Sequence, residues 1–398
     1  MTEVIPVGLV FSITGPYSAI SRAMVDGAML AIDEVNDNSS YQFSLEPHFI
    51  DPAAKLDSYR VACERLLKHD KIRHVIGCYT SLSRKEVIPC FEKYDGLLWY
   101  PSHYEGFETS ANVIYSGAAP NQHIIPLARF MIKSYGKRAY CVGSNYIWAW
   151  ENNRILREVM TANGGDVVSE KYVTVGGVDV EHLISDIVKE KPDFIFSSLI
   201  GDSRYAFIRA FMEYGKKDPA FRADKLPISD CSLSEPELEH VGPIVDHGMI
   251  ASSVYFQSIK SEINQNFISK YQNRFGENSV TSADAEASYV SIILLAEAVH
   301  QAGTTAIDAV RSAAMGSGID APQGRVSIDA DNAHCYLTPR LAWAQKDHQF
   351  DIFEEAPEPV KPDPYLTWVD LKLDKQARDL SNVEAMEIER RSHLRVVK

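Results

Sequence analysis

Little in this chain of 398 residues carries the marks of a membrane protein, a nucleic-acid binder or a motif-defined enzyme. It lacks any apolar run of ~18 residues, so no segment reads as a membrane-spanning helix. It lacks positive charge: the formal net charge is −14, whereas direct nucleic-acid binding wants a basic surface that displaces counterions. Any effect on genes then has to pass through a partner. Zinc spacing is missing too, because Cys63, Cys78, Cys90, Cys141, Cys231 and Cys335 form no C-x-x-C pair. Several of them sit inside apolar runs, where Cys acts as a small hydrophobe, and scattered thiols favour a reducing compartment. There is no G-x-S-x-G elbow, H-E-x-x-H, Walker loop or G-x-G-x-x-G. His103, Glu105 and Glu108 share one loop, which reads as solvated and not as a metal site. No metal or other cofactor is expected, although an amide hydrolase assembled from scattered residues stays open.

What the chain does have is a repeated strand-then-helix pattern. The opening run Val4 to Phe11 has Glu3 in place of a basic start, is interrupted by Pro6 and ends at Gly15-Pro16. These features favour a first strand over an export leader, and hence a cytoplasmic protein, or a periplasmic one had a native leader been removed. Ser18 is placed to cap a helix carrying Ile20, Met24, Ala28, Ala31 and Val35 on one face. The strand-like stretches FSLEPHFID, HVIGC and LLWYP alternate with the helical stretches DSYRVACERLLKHD and SRKEVIPCFEKY, and a second such series starts after YSGAAPNQH. A length beyond the roughly 250 to 300 residues at which one core stops growing agrees with two units.

The expectation is an α/β protein with two doubly wound parallel-sheet lobes, joined by three crossovers around a ligand cleft. Lobe 1 is assigned residues 1–118 and 250–322, and lobe 2 residues 119–249 and 323–367. Residues 368–398 form a charged C-terminal tail, either a solvated end or a short amphipathic helix on Leu380, Val383, Met386 and Ile388 for a partner or dimer contact.

Ligands of open parallel sheets bind beyond the carboxyl ends of the strands, which draws attention to three junctions. Tyr79 and Ser81 follow HVIGC, where helix-start N–H groups and the Ser81 hydroxyl make a donor cluster, unless Ser81 or Ser83 only caps its own helix. Tyr100, Ser102 and His103 follow LLWY and suit a small, partly apolar ligand, or else an ordinary packed loop. Tyr146, Trp148 and Trp150 crowd one helix start, so at least one ring should face the cleft or the other lobe. The Gly-containing turn Ser198 to Ser203 faces the same way.

The blocks IPVGLVFSITGPYSAISRAMVDGAMLAIDEVN, GCYTSLSRKEVIPCFEKYDGLLWYPSHYEGFE, GSNYIWAWENN, AEASY and APQGRVSIDADNAHCYLTPRLAWA resemble the type I periplasmic-binding-protein superfamily. The resemblance is to the branch holding the AmiC-type amide-sensing negative regulators of aliphatic amidase operons and the urea or short-chain-amide binding components of ABC transporters. It implies a non-enzymatic receptor closing on a small amide or urea-like ligand. As a cytosolic sensor it would regulate an ANTAR-type RNA-binding antiterminator, whereas as a transporter component the same pocket would serve uptake. The ligand residues implied are Tyr79, Ser81, Tyr100, Ser102, His103, Tyr146 and Trp148, with Ser81 donating to the amide oxygen. His103 stands where the amide regulators carry proline, and Trp148 is larger than their tyrosine. Pocket size and polarity therefore differ from theirs.

Overall fold

A computed structural model describes residues 3–244 and 248–373. The first sheet takes its strands from alternating β and α segments. These are β1 (Glu3–Val10), α1 (Ser18–Asp37), β2 (Phe43–Ile50), α2 (Leu56–Glu64), β3 (His74–Gly77), α3 (Ser81–Tyr94), β4 (Leu97–Tyr100) and β5 (Val113–Tyr115). All pairs are parallel, in the order β2-β1-β3-β4-β5. β3 and β4 are buried along their whole length, as strands covered on both faces must be.

The second unit runs through α4 (Ile124–Ser134), β6 (Arg138–Ser144), α5 (Ile147–Ala162), β7 (Asp166–Val173), α6 (Glu181–Glu190), β8 (Phe194–Ser198), α7 (Asp202–Lys217), β9 (Ile228–Asp230), α8 (Glu235–Leu238) and β10 (Met249–Ser253). The chain then returns to the first unit with α9 (Glu262–Phe275), α10 (Ala283–Ala302) and α11 (Ile307–Ala314), followed by a small antiparallel sheet of β11 (Gly318–Ala321), β12 (Gly324–Ile328) and β13 (Cys335–Tyr336). β14 (Arg340–Ala344) and β15 (Phe350–Glu355) close the second sheet, in the order β15-β14-β10-β9-β8-β6-β7.

The expected two-sheet α/β architecture holds, with the chain passing three times between the sheets. Two of the expected lobe boundaries move. β10 pairs with β9 and β14, so the second passage comes after Ser253 and not at residue 250. Ala321, Val326, Ile328 and Cys335 pack in the core under the first sheet, so the third passage follows Tyr336 and not residue 322. The second sheet is also not wholly parallel, since β14 runs antiparallel to both β10 and β15.

Ser18 does not cap α1: Tyr17 holds that position and no side chain caps the helix. The proposed amphipathic helix from Leu380 onward lies outside the described residues. No single helix among the described residues is long and apolar enough to cross a membrane. α10 is nonetheless apolar on most of its surface because it is buried between α1 and the third sheet. It lies so close to α1 that a Cβ on Gly27 would stand 1.9 Å from the Ala285 carbonyl oxygen. That approach fixes where the first turn of α10, which carries Asp284, enters the space between the sheets.

Candidate functional site

The loops after β3, β4, β6 and β8 converge from the two sheets. Tyr79 is buried and its ring packs 5.4 Å from Tyr17 and 6.5 Å from His103. His103 lies edge-on to Trp148 at 5.5 Å and to His123 at 5.9 Å. Trp148 is stacked on Tyr146, the residue that precedes α5. The loops thus bring together Tyr79 and His103 from one sheet with Tyr146 and Trp148 from the other. Trp150, the third aromatic of that cluster, points outward, and its Nε1 donates to Asn145 at 3.1 Å.

The remaining expected ligand residues sit one layer back. Tyr100 is wholly buried, donates its hydroxyl to the Tyr79 carbonyl at 2.8 Å, and packs with Tyr104 and Tyr115 under the Arg84 guanidinium. Ser102 is buried and directs its hydroxyl to the His103 carbonyl. Ser81 does not cap α3; Thr80 does, accepting from the Ser83 N–H. The Ser81 hydroxyl instead donates to Glu105. Glu105 also accepts from Arg84 at 2.9 Å, while Glu108 takes Arg84 and Lys85 at 2.6 and 2.5 Å. The carboxylates of that loop are thus bound to cations of α3.

Sequence reasoning missed the buried charges on the other wall. Arg204, in the first turn of α7, is completely buried and donates to the Leu199 carbonyl at 2.9 Å, to Glu237 at 2.7 Å and to Ser232. Asp230 lies 3.3 Å from its Nε. Asp284 is buried in the first turn of α10 and accepts no hydrogen bond from another residue among the described residues. Burial, then Glu237, push its carboxyl up to about 7. Glu235 is pushed up to about 8 chiefly by burial; one oxygen accepts the Gln257 N–H at 2.7 Å and the other has no partner. The imidazoles move the opposite way. Burial, then His123 and Arg204, take His103 down to about 3, and burial takes His123 down to about 4. Both rings are neutral at pH 7.

His123 Nε2 faces the Tyr104 carbonyl at 3.0 Å. A carbonyl only accepts, so that nitrogen carries the proton and Nδ1 keeps a lone pair, which is buried and has no partner. The Trp148 Nε1–H is likewise buried without a partner. Between the sheets lies a cavity of about 20 Å³ lined by His103, His123, Gly117, Ser252, Asp284 and Cys231, among others, room for about one water molecule as the lobes stand. A wider pocket of about 190 Å³ is bordered by Tyr17, Tyr59, Thr80, Tyr146, Val175 and Ile200. A larger depression, about 550 Å³, is on the outer face between α1 and α9 and holds none of these groups.

Residues 5–370 match the family model described as periplasmic binding protein domain. The chain belongs to that family. Within it, the type I fold is shared with a solute-binding protein of an ABC transporter from Rhodopseudomonas palustris, solved in complex with p-hydroxybenzoic acid. That protein is 18% identical, with a TM-score of 0.81, covering 92% of this chain and 100% of that one. The branched-chain amino acid transporter substrate-binding protein LivJ from Streptococcus pneumoniae, in complex with isoleucine, is also 18% identical, with a TM-score of 0.78 over 90% of this chain and all of that one. A limonene hydroxylase of Geobacillus stearothermophilus is 27% identical over 120 residues, 30% of this chain and 22% of that protein's length.

In this periplasmic binding protein fold, Tyr79, His103, Tyr146 and Trp148 were findable because each follows a strand. Arg204 lies beside the Gly201 turn, but its partners Asp230 and Glu237 come much later in the chain, and no local pattern announces them. Asp284 directly precedes the AEASY block, and only the close passage of α10 over Gly27 carries it to the cleft.

Proposed function

We propose that the protein is the solute-binding component of an ABC transporter, a periplasmic receptor that closes its two lobes on a small nitrogen-containing solute of the short-chain amide or urea type. The observation that carries this reading is the buried junction between the sheets. There, aromatic rings from both walls pack on His103, the Trp148 N–H and His123 Nδ1 are buried without partners, and Asp284 lines the cavity. Such a site fits a ligand that is planar, small, and both donates and accepts. Ser81 is a positioning residue here, since its hydroxyl proton is directed at Glu105. The residues proposed to touch the ligand are Tyr79, His103, His123, Tyr146, Trp148 and Asp284.

Binding without turnover is supported by the state of the nearest nucleophile. Cys231 lines the same cavity, but burial and Asp230 push its thiol well up, and it makes no hydrogen bond to either imidazole. A second reading rests on the blocks shared with the amide regulators: a cytosolic sensor whose closure restrains or releases an ANTAR-type antiterminator. A ligand shifts an open-closed balance only by its difference in affinity for the two forms, and a partner preferring one form is then released by linkage.

The test is calorimetric titration with acetamide, propionamide, butyramide, formamide, urea and leucine, with ammonia assayed in the same samples. Saturable binding of an amide or urea without ammonia upholds the receptor. Ammonia release overturns it in favour of hydrolysis, and binding of leucine alone moves it to amino acids. Co-purification with an RNA-binding partner that ligand dissociates would replace the transporter role with the sensor role.

A further inference from the structure

The charges around the cleft do not balance. Arg204 is a buried guanidinium there, and its donors are occupied by Glu237, Ser232 and Leu199, with Asp230 beside them. Asp284 therefore forms no ion pair among the described residues, and Arg204 acts on it only from a distance. The groups facing it are the carboxylates of Glu235 and Glu237 from α8, the engaged Arg204 from α7, the Tyr79 phenol after β3, and the neutral imidazoles His103 and His123 that line the same cavity. Two acceptors, the Asp284 carboxyl and His123 Nδ1, thus adjoin one small cavity lined in part by His103, and the Trp148 and Tyr79 rings pack on that imidazole. A carboxylate next to aromatic faces, with its surroundings already short of positive charge, is the environment that selects an organic cation over its neutral isostere.

We infer that the solute is a planar N–H-bearing cation of the amidinium or guanidinium class, held through its nitrogens by Asp284 and His123 beside the His103 ring. This rests on the cleft being the ligand site and narrows the kind of solute it takes. Binding such a cation favours the ionised carboxyl of Asp284, so affinity rises as pH climbs past about 7, and near that pH binding expels a proton from the protein.

The experiment titrates the full chain with acetamidine hydrochloride and, separately, with its neutral isostere acetamide, at matched chloride, at pH 8 and pH 6. The expected result is at least tenfold tighter binding of acetamidinium at pH 8. That margin shrinks at pH 6, with a binding enthalpy that depends on the buffer's ionisation heat. Asp284→Asn is expected to remove the margin by weakening acetamidinium binding at least tenfold more than it alters acetamide binding. The pH series on the unaltered chain decides the matter even where the variant does not fold. Equal or tighter binding of acetamide at pH 8, or a cation preference kept by Asp284→Asn, overturns the cation and leaves the receptor intact. Should neither compound nor any solute of the wider panel bind, the receptor reading itself falls.

Discussion

Gly201 tests the idea that the two walls must meet for a ligand to be held. It lies in the turn between β8 and α7, at φ +54° and ψ −135°, and a Cβ there would stand 1.9 Å from the carbonyl oxygen of Pro16, in the loop after β1 of the opposite sheet. Gly201→Ala therefore introduces two separable penalties. Backbone strain of about 1–3 kcal/mol is present whether the lobes are together or apart. Overpacking against Pro16, another ~1–3 kcal/mol, acts only when they meet. The second penalty alone weakens ligand binding, by roughly 5- to 150-fold on the scale where 1.4 kcal/mol is tenfold. Calorimetric titration with whichever compound of the panel binds the unaltered chain reads it directly, and small-angle scattering reads the lobe separation. Gly303→Ala is the control: Gly303 sits at φ +63° with no atom within 4 Å of a built Cβ, so that variant should lose stability through strain yet bind normally. Affinity within twofold for Gly201→Ala, with an unchanged radius of gyration, would refute the claim that this contact belongs to closure.

Other substitutions probe the supports. Gly27→Ala gains about 0.5–1 kcal/mol of helix preference but drives a Cβ into the Ala285 carbonyl; overpacking of ~1–3 kcal/mol should win, lowering the urea midpoint, and an increased midpoint would contradict the close helix pair. Glu237→Gln leaves Arg204 with less compensation in a fully buried site, for an expected loss near the lower end of ~3–5 kcal/mol because Asp230 remains; unaltered thermal melting would mean the pair contributes nothing. Stability should also respond to pH. Glu235, Asp284 and Glu286 are held up to about 8, 7 and 7, chiefly by burial. The folded protein therefore binds more protons than the unfolded chain above the ordinary carboxylate range, and stability falls as pH rises from about 5 through 8. Chemical denaturation at pH 5.5 and pH 8 checks that sign.

The parts of the fold that were legible are those with a period long enough to read. HVIG and LLWY are short but uniformly apolar and bounded by turns, and α10 shows its burial by being apolar on most sides. β9, with only Ile228, Ser229 and Asp230, has no period to detect, and the antiparallel pair β14 and β15 carries a register shift at Leu341/Ala342 that breaks its alternation. At the site, position after a strand picked out the right loops but not which side chains turn inward. Trp99 and Tyr100 are successive residues of β4 and point to opposite faces, Trp99 into the core shared with α1 and Tyr100 into the core behind α3. Arg204 defeats local reading for another reason: arginine is seldom fully buried, and here it is buried because two carboxylates from later segments meet it.

Two buried arginines share a design that separates support from selectivity. Arg84 ties α3 to the loop carrying His103 through Glu105 and Glu108, and Arg204 ties α7 to α8 through Glu237. One stands behind each wall of the cleft, and each is matched by carboxylates drawn from a different segment of the chain. Because truncating one member strands a buried charge, substitutions at Arg84, Glu105, Arg204 or Glu237 should register first as lost stability, with affinity falling only as the walls loosen. Asp284, His123 and Trp148 are the opposite case: His123 and Trp148 each leave a buried polar atom without a partner, and the Asp284 carboxyl lines the cavity with no hydrogen bond from another residue among the described residues. Replacing Asp284 or Trp148 by an isostere takes no side-chain hydrogen bond to another residue from the unliganded protein, so Asp284→Asn and Trp148→Phe should change which solute binds and how tightly while leaving melting nearly unaltered. A Trp148→Phe variant that instead melted many degrees lower with affinity intact would place the indole among the supports.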